Sequence, residues 1–124
     1  MTDNEVTTRE YACYGIDYAD AHERFDGNMQ LFARLAPKYA DVTCCGDFAA
    51  AMEAGDLEAA YRHAHTLKGT AGNLSLKEVY SIACEICVSL RAGNAEKARA
   101  VIPALEAANA KALEGLAKLQ LGEL

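Results

Sequence analysis

The sequence predicts an all-α protein, an antiparallel up-down-up-down four-helix bundle with a short lid helix at its N-terminal end. Apolar residues recur every three or four positions along most of the 124-residue chain, which is the period of an amphipathic helix. No segment shows the two-residue alternation of a half-buried strand. Turns of about two to four residues separate the helical segments, and such short turns make neighbouring helices run antiparallel.

The N-terminal segment is polar, and we expect residues 1–14 to form a flexible tail ahead of a bundle over residues 15–121. Asp17 precedes a short helical stretch, 18–24, at the position where a carboxylate accepts a hydrogen bond from a free backbone N–H. This stretch is the predicted lid helix.

A proline divides the next helical region. After Asp26-Gly27-Asn28 one apolar stripe runs toward Val42, and Pro37 interrupts it. Because proline removes a backbone hydrogen bond, we expect a kink or a break at this residue. The stripe resumes beyond Gly46, and Gly55 supplies a stop.

Two further helices begin at residues that suit helix capping. Asp56 is placed to cap a helix over residues 57–73. Ser75 and Glu78 have the spacing of a capping box, in which the two side chains bind backbone N–H groups of the first turn. They predict the start of the next helix.

The C-terminal part of the chain is strongly periodic. The helix after Ser75 has one apolar face, which consists of Leu76, Val79, Tyr80, Ala83, Ile86, Cys87 and Leu90. It ends at Gly93-Asn94. A last helix over about residues 95–120 contains Pro103, where we expect a kink.

Charge and composition exclude several classes of function. The chain has 12 lysines and arginines against 18 aspartates and glutamates, and no basic cluster that would bind a nucleic-acid backbone. No apolar run approaches the ~20 residues that span a bilayer, and the first residues do not resemble a signal peptide. We therefore expect a cytoplasmic protein that binds neither nucleic acid nor membrane. We expect a monomer, because no spare apolar helix face is visible.

The five cysteines leave one alternative open. Cys84 and Cys87 form a C-x-x-C pair, and Cys44-Cys45 would supply two more thiolates for a tetrahedral zinc site. The pair lies inside a periodic helix, whereas redox pairs lie at a helix N-terminus, where the dipole lowers the thiol pKa. We expect small reduced core residues and no bound metal, with a metal or thiol bundle as the alternative.

The segment Ala64–Leu74 contains the residues of this chain that are best suited to take part in a reaction. On a helical wheel of about 100° per residue, three residues that follow His65 in this segment fall within about 60° of it: Lys68, Gly69 and Gly72. The apolar stripe of this helix falls on the opposite side. His65 is therefore predicted to face solvent, with one lysine and two glycines beside it.

These residue types suit phosphoryl transfer. The imidazole of His65 offers a ring nitrogen for nucleophilic attack. Lys68 lies one turn further, with about 5–6 Å between the two Cβ atoms, so its ammonium can offset the charge of a phosphoryl group. A glycine inside a helix costs about 1 kcal/mol relative to alanine. A partner that brings its backbone close to the imidazole would explain that cost.

The pattern H-x-x-K-G-x-x-G on the exposed face of a bundle helix resembles the histidine-containing phosphotransfer (HPt) domain family. Gly15-Ile16-Asp17, Arg24–Asn28 and Ala54-Gly55-Asp56 are similar to the family's pattern ahead of the histidine helix. The resemblance covers roughly residues 15–120. His63 departs from it, since it stands where the family usually has an aliphatic residue.

The resemblance implies a phosphorelay intermediate rather than an enzyme. By matching position, His65 accepts a phosphoryl group from the aspartate of one receiver domain and passes it to another. Lys68 is the electrostatic helper, and Gly69 and Gly72 give clearance for docking. Mg²⁺ belongs to the receiver, so no bound cofactor is expected. The implied partners are response-regulator receiver domains and a hybrid sensor histidine kinase.

Two side chains near His65 are candidates for receiver docking, and the other two histidines are expected to have no chemical role. Tyr61 and Arg62 flank His65 on the wheel and are candidate docking residues. His63 lies beside the buried stripe, and we expect a structural histidine there. His22 has no supporting residues around it and is expected at the surface.

Two more alternatives remain open at this point. One is a receiver-binding module of the same fold that transfers no phosphate. The other is a detached fragment of a chemotaxis-type kinase, which a separate ATP-binding domain would phosphorylate. The chain itself has no nucleotide-binding glycine loop after a strand, so it is not expected to be a kinase.

Overall fold

A computed structural model describes residues 2–124, and this part of the chain is all-helical, which confirms the predicted class. It contains no strand, and none of its helices combines the length and the apolar composition that crossing a membrane requires. In chain order its α-helices are α1 (Asp3–Ala12), α2 (Tyr18–Arg24), α3 (Met29–Leu35), α4 (Cys44–Glu53), α5 (Leu57–Asn73), α6 (Lys77–Arg91), α7 (Ala95–Ala100) and α8 (Ile102–Gln120). A 3₁₀ helix, Ala36–Asp41, lies between α3 and α4.

The N-terminal segment corrects the expectation of a flexible tail over residues 1–14. Residues 3–12 form α1, and Tyr11 near its end is buried. The Tyr11 ring packs edge-on against Tyr18 of α2, with 4.9 Å between the ring centroids. This tertiary contact stabilises a helix whose own sequence is mostly polar. Met1 belongs to the predicted tail and lies outside the described residues.

The predicted short helix over residues 18–24 is confirmed as α2. The Asp17 carboxylate caps it by accepting a hydrogen bond from the Asp20 amide at 3.1 Å. The Asp17 amide in turn donates to the Ser75 carbonyl at 2.9 Å. The start of α2 is thereby fastened to the turn that follows α5.

The predicted capping box of Ser75 and Glu78 is wrong. Ser75 has a φ of +58°, and its hydroxyl donates to Asp20 Oδ2 at 2.7 Å. The Glu78 carboxylate pairs with Lys111 Nζ at 2.9 Å, while α6 begins without a side-chain cap. Both side chains have partners far away in the chain, and the local pattern carries no information about them.

The break expected at Pro37 is confirmed. α3 ends at Leu35, and Pro37 lies in the first turn of the 3₁₀ helix. The next helix begins at Cys44, so Gly46 lies inside its first turn rather than ahead of it. Gly55 ends this region with a φ of +74°, a conformation that a residue with a Cβ adopts at a cost.

The helix predicted over residues 57–73 is confirmed as α5. Asp56 caps it, with its Oδ1 accepting from the Ala59 amide at 3.1 Å. α5 packs against α4 and α6, and α8 packs against both of these and the 3₁₀ helix. The core therefore lies on one side of α5 and leaves the other side open.

Two expectations about the C-terminal helices have different outcomes. The kink expected near Pro103 is present as a break at Val101, which separates α7 from α8, with the proline in the first turn of α8. Tyr80, which the periodicity placed on the buried face of α6, is 41% exposed. Its ring lies beside Gly72 of α5.

Candidate functional site

The packing of α5 sets the direction in which His65 points. Four residues of this helix are fully buried and form its inner face: Ala60, Ala64, Leu67 and Ala71. Since the inner face is fixed in this way, His65 on the other side is exposed, as predicted. In the part of the chain that the structure describes, no hydrogen bond engages the imidazole. Neither ring nitrogen is therefore engaged by a hydrogen-bond partner among these residues.

Lys68 and Gly69 lie on the turn that follows His65. Lys68 is half-buried, and among residues 2–124 it forms no ion pair with a carboxylate. Its charge reaches the neighbouring helix: burial raises the pKa of the Cys87 thiol, and the Lys68 ammonium acts in the opposite direction. Gly69 is exposed, and a Cβ built on it would meet no atom within 4 Å. The surface beside His65 thus carries a positive charge next to open space.

Gly72 differs from Gly69 in what surrounds it. A Cβ on Gly72 would lie 3.1 Å from two ring carbons of Tyr80. That distance is tighter than ordinary van der Waals contact, so the absence of a side chain on Gly72 makes room for a ring of the same protein. The docking role predicted for Gly72 stays a prediction, and the structure adds an internal reason for this glycine.

Tyr61 lies one helical turn before His65 and packs against it. The two rings are nearly parallel, with an interplanar angle of 18° and 5.9 Å between their centroids. Arg91, the last residue of α6, donates a hydrogen bond from Nε to the Tyr61 hydroxyl at 2.9 Å. Arg62 is exposed on the other side of His65.

Sequence reasoning did not identify Arg91. One signal was available, since α6 returns along α5 after a short turn and brings its C-terminal end beside the first half of that helix. The contact between Gly72 and Tyr80 and the one between Tyr61 and Arg91 follow this antiparallel order. Core packing sets the register between the two helices, and this register places Arg91 beside Tyr61.

The other two histidines lie apart from this arrangement. His63 is half-buried, as its position beside the inner face of α5 predicts. His22 of α2 is exposed, as predicted, and its ring centroid lies 6.0 Å from that of Tyr18.

The cysteines do not assemble into a reactive group. Among residues 2–124, no three histidine, cysteine or acidic side chains lie close enough together to hold a metal ion. Burial raises the pKa of Cys44 and Cys87, and it raises that of Cys45 to about 11. Since the thiolate is the nucleophile and the metal ligand, these environments disfavour both roles.

Comparison with known proteins identifies the family. A family model described as the Hpt domain matches residues 41–116, which is more than half of the chain. No curated protein and no solved structure gives a significant match. The matched segment contains α5 entire, with His65, Lys68 and both glycines. The chain therefore belongs to the Hpt domain family, whose members are phosphocarrier modules rather than kinases and act in two-component signalling with receiver domains and kinases.

Proposed function

We propose that this protein is a phosphorelay intermediate that accepts a phosphoryl group on His65 from a receiver-domain aspartate and passes it to a second receiver domain. One observation carries the proposal. The His65 imidazole is exposed on α5 with no hydrogen bond to residues 2–124, and Lys68 and the open surface at Gly69 lie beside it. A nucleophile in such a position is accessible to the active site of another protein.

The proposed transfer requires little chemistry from this chain. The lone pair of a His65 ring nitrogen attacks the phosphorus of the receiver's aspartyl phosphate, and an N–P bond forms. The P–O bond to the aspartate breaks, and its electron pair leaves with the carboxylate. The proton on the other ring nitrogen stays in place. The same steps in reverse deliver the phosphoryl group to the second receiver.

Lys68 is proposed as the electrostatic helper in this step. Lys68 lies one turn from His65, and its ammonium has no carboxylate partner among the described residues, so it is available to a phosphoryl oxygen. Mg²⁺ is proposed to come with the receiver domain, and no cofactor is assigned to this chain.

The finer architecture is part of the proposal. We infer that α4, α5, α6 and α8 form an up-down-up-down bundle within residues 15–121, with α2 as the lid. The packing of α5 against α4 and α6, and of α8 against the same two helices, supports it. A hybrid sensor histidine kinase as upstream partner, a monomeric state and a cytoplasmic location complete the proposal.

Receiver docking is proposed on the outer face of α5. Gly69 gives clearance there, and Tyr61 and Arg62 flank the imidazole. Gly72 contributes in a second way, because it accommodates the Tyr80 ring at the edge of the same face.

The test is transfer from a radiolabelled phospho-receiver in Mg²⁺ to the wild type, His65→Gln and His63→Gln. His63 is the matched control, because it lies on the same helix two residues away and is half-buried. We expect label on the wild type and His63→Gln and none on His65→Gln. The label should be labile in acid and stable in base, as a phosphohistidine is.

Three results would contradict the proposal. Equal labelling of His65→Gln would show that another side chain is the acceptor. Binding of several receivers without any labelling would leave a receiver-binding module that transfers no phosphate. Labelling that required a separate ATP-binding domain, and never occurred from a receiver, would indicate a fragment of a chemotaxis-type kinase.

A further inference from the structure

The orientation of the His65 ring depends on few contacts. An exposed side chain on a helix exchanges between rotamers within picoseconds to nanoseconds unless something restrains it. Among the described residues no hydrogen bond holds this imidazole. Its defined aromatic contact is with Tyr61, at 5.9 Å between ring centroids.

The geometry of α5 makes the contact with Tyr61 a natural one. Helical side chains lean toward the helix N-terminus, so the side chain of His65 extends back over the residue four positions earlier. The interplanar angle of 18° shows that the two rings lie nearly parallel. Parallel, displaced aromatic rings attract each other beyond the effect of buried area.

Tyr61 is itself held by the neighbouring helix. Its hydroxyl accepts the hydrogen bond from Arg91 Nε at 2.9 Å, and Arg91 Cζ lies 5.7 Å from the centroid of its ring. That separation is within the range of a cation–π interaction. Arg91, Tyr61 and His65 therefore form a chain of contacts, which we call the Arg91–Tyr61–His65 stack, and it joins α6 to the imidazole.

We propose that Tyr61 is a positioning residue for phosphoryl transfer, which acts by holding the His65 ring in one orientation. This inference rests on the proposed function, since it concerns the same site. The lone pair that attacks phosphorus lies in the plane of the imidazole. A ring stacked on one face therefore restrains the direction of that lone pair and leaves the edges of the imidazole open. The N–P bond then forms, and the aspartyl P–O bond breaks, along a direction that α5 and α6 determine together.

The test combines two readouts on Tyr61→Leu and Tyr61→Phe, with Arg99→Gln as the control. Arg99 is exposed on α7, a different helix from the one that carries His65, and it is not part of the proposed docking surface. The first readout is NMR of the His65 imidazole in the unphosphorylated protein. The second is single-turnover transfer from a phospho-receiver. It gives two quantities: the rate at saturating receiver, and the half-saturating concentration, which is the receiver concentration at half of that rate. Thermal unfolding shows that each variant is folded.

For Tyr61→Leu we expect loss of the ring-current shift on the His65 ring protons and a rate at saturation that falls about two- to tenfold. The half-saturating concentration should stay within about a factor of two. Tyr61→Phe keeps the stack and loses the bond to Arg91, so its rate should lie between those of Tyr61→Leu and the wild type. Arg99→Gln should leave both the imidazole signals and the rate at saturation unchanged.

Other results would overturn the inference. Unchanged His65 signals in Tyr61→Leu would show that no stack orients the ring in solution. A higher half-saturating concentration with an unchanged rate at saturation would make Tyr61 a docking residue only. If the wild type accepted no phosphoryl group, the proposed function would fail together with the role of Tyr61 in transfer. The NMR comparison would still decide separately whether the stack exists.

Discussion

The Ser75 hydroxyl donates a hydrogen bond to Asp20 Oδ2 at 2.7 Å, from a backbone conformation with a φ of +58°. Ser75 is buried, and the Asp20 carboxylate that accepts this bond is 39% exposed and also pairs with Arg24 Nε at 2.7 Å. Ser75→Ala should lower the free energy of unfolding by about 1–2 kcal/mol, since the bond is lost and the left-handed backbone is kept. Ser75→Gly also loses the bond, but it relieves the backbone strain and should lose less. Urea denaturation of both variants tests this; equal losses would contradict it.

Substitutions of Gly69 are expected to change stability and phosphoryl transfer in opposite directions. Because a Cβ on Gly69 meets no atom within 4 Å, Gly69→Ala should raise the free energy of unfolding by about 0.5–1 kcal/mol. A side chain there would meet the receiver, so transfer should slow with size from Gly69→Ala to Gly69→Leu. Denaturation and single-turnover transfer measure the two effects. The control is Ala107→Leu on the exposed face of α8, which should transfer normally; normal transfer by Gly69→Leu would refute the docking role of this glycine.

Lys68 is expected to act through its charge. Lys68→Met keeps most of the side-chain length and removes the ammonium, and it should slow transfer about tenfold or more. Lys68→Arg keeps the charge and should recover part of the rate. The matched control is Lys97→Met on α7, which should transfer at the wild-type rate. Equal rates for Lys68→Met and Lys97→Met would remove the electrostatic role.

Gly115 is expected to tolerate no side chain. A Cβ on Gly115 would lie 2.5 Å from the Tyr14 Cβ, an atom so close to the main chain that it cannot swing aside. Gly115→Ala should therefore lower the free energy of unfolding by about 1–3 kcal/mol, although alanine favours helix. Gly46→Ala is the control, because it meets nothing within 4 Å and should be neutral or stabilising. A stable Gly115→Ala protein would show that α1 and its following turn are loosely attached to α8.

Alkylation of Cys45 is expected to depend steeply on pH. Burial, with Glu106 and Cys44 nearby, raises the pKa of this thiol to about 11. Because the thiolate is the reactive form, the rate should rise about tenfold per pH unit from pH 7 to 10. Iodoacetamide labelling followed by peptide mass spectrometry measures it, with the exposed Cys13 as the internal reference. A rate that reached a plateau below pH 9 would contradict the raised pKa.

The parts of the fold that depend on nearby residues could be predicted from the sequence. The bounds of α2 and α5 were predicted correctly, because Asp17 and Asp56 cap them with side chains only three residues from the amides they bind. The outward direction of His65 was predicted for a similar reason, since it follows from helical periodicity and the apolar stripe of α5.

The parts that depend on distant residues could not be predicted in this way. Ser75 and Glu78 have the spacing of a capping box, but they bind Asp20 and Lys111. The contact of Arg91 with Tyr61 depends on the register of two helices, which core packing sets. The spacing of residues within one helix does not determine how that helix is aligned with its neighbour.

The two glycines that follow His65 are subject to different constraints on natural variation. A side chain at Gly72 requires the Tyr80 ring, 3.1 Å from where its Cβ would lie, to move or to become smaller. Substitution at Gly72 is therefore linked to substitution at Tyr80, and the protein's own interior decides which pairs are compatible. Gly69 has no such internal neighbour. Under the proposed docking role, the receiver surfaces that pack on Gly69 would determine which residues are acceptable there, and a substitution would require a matching change in the receivers.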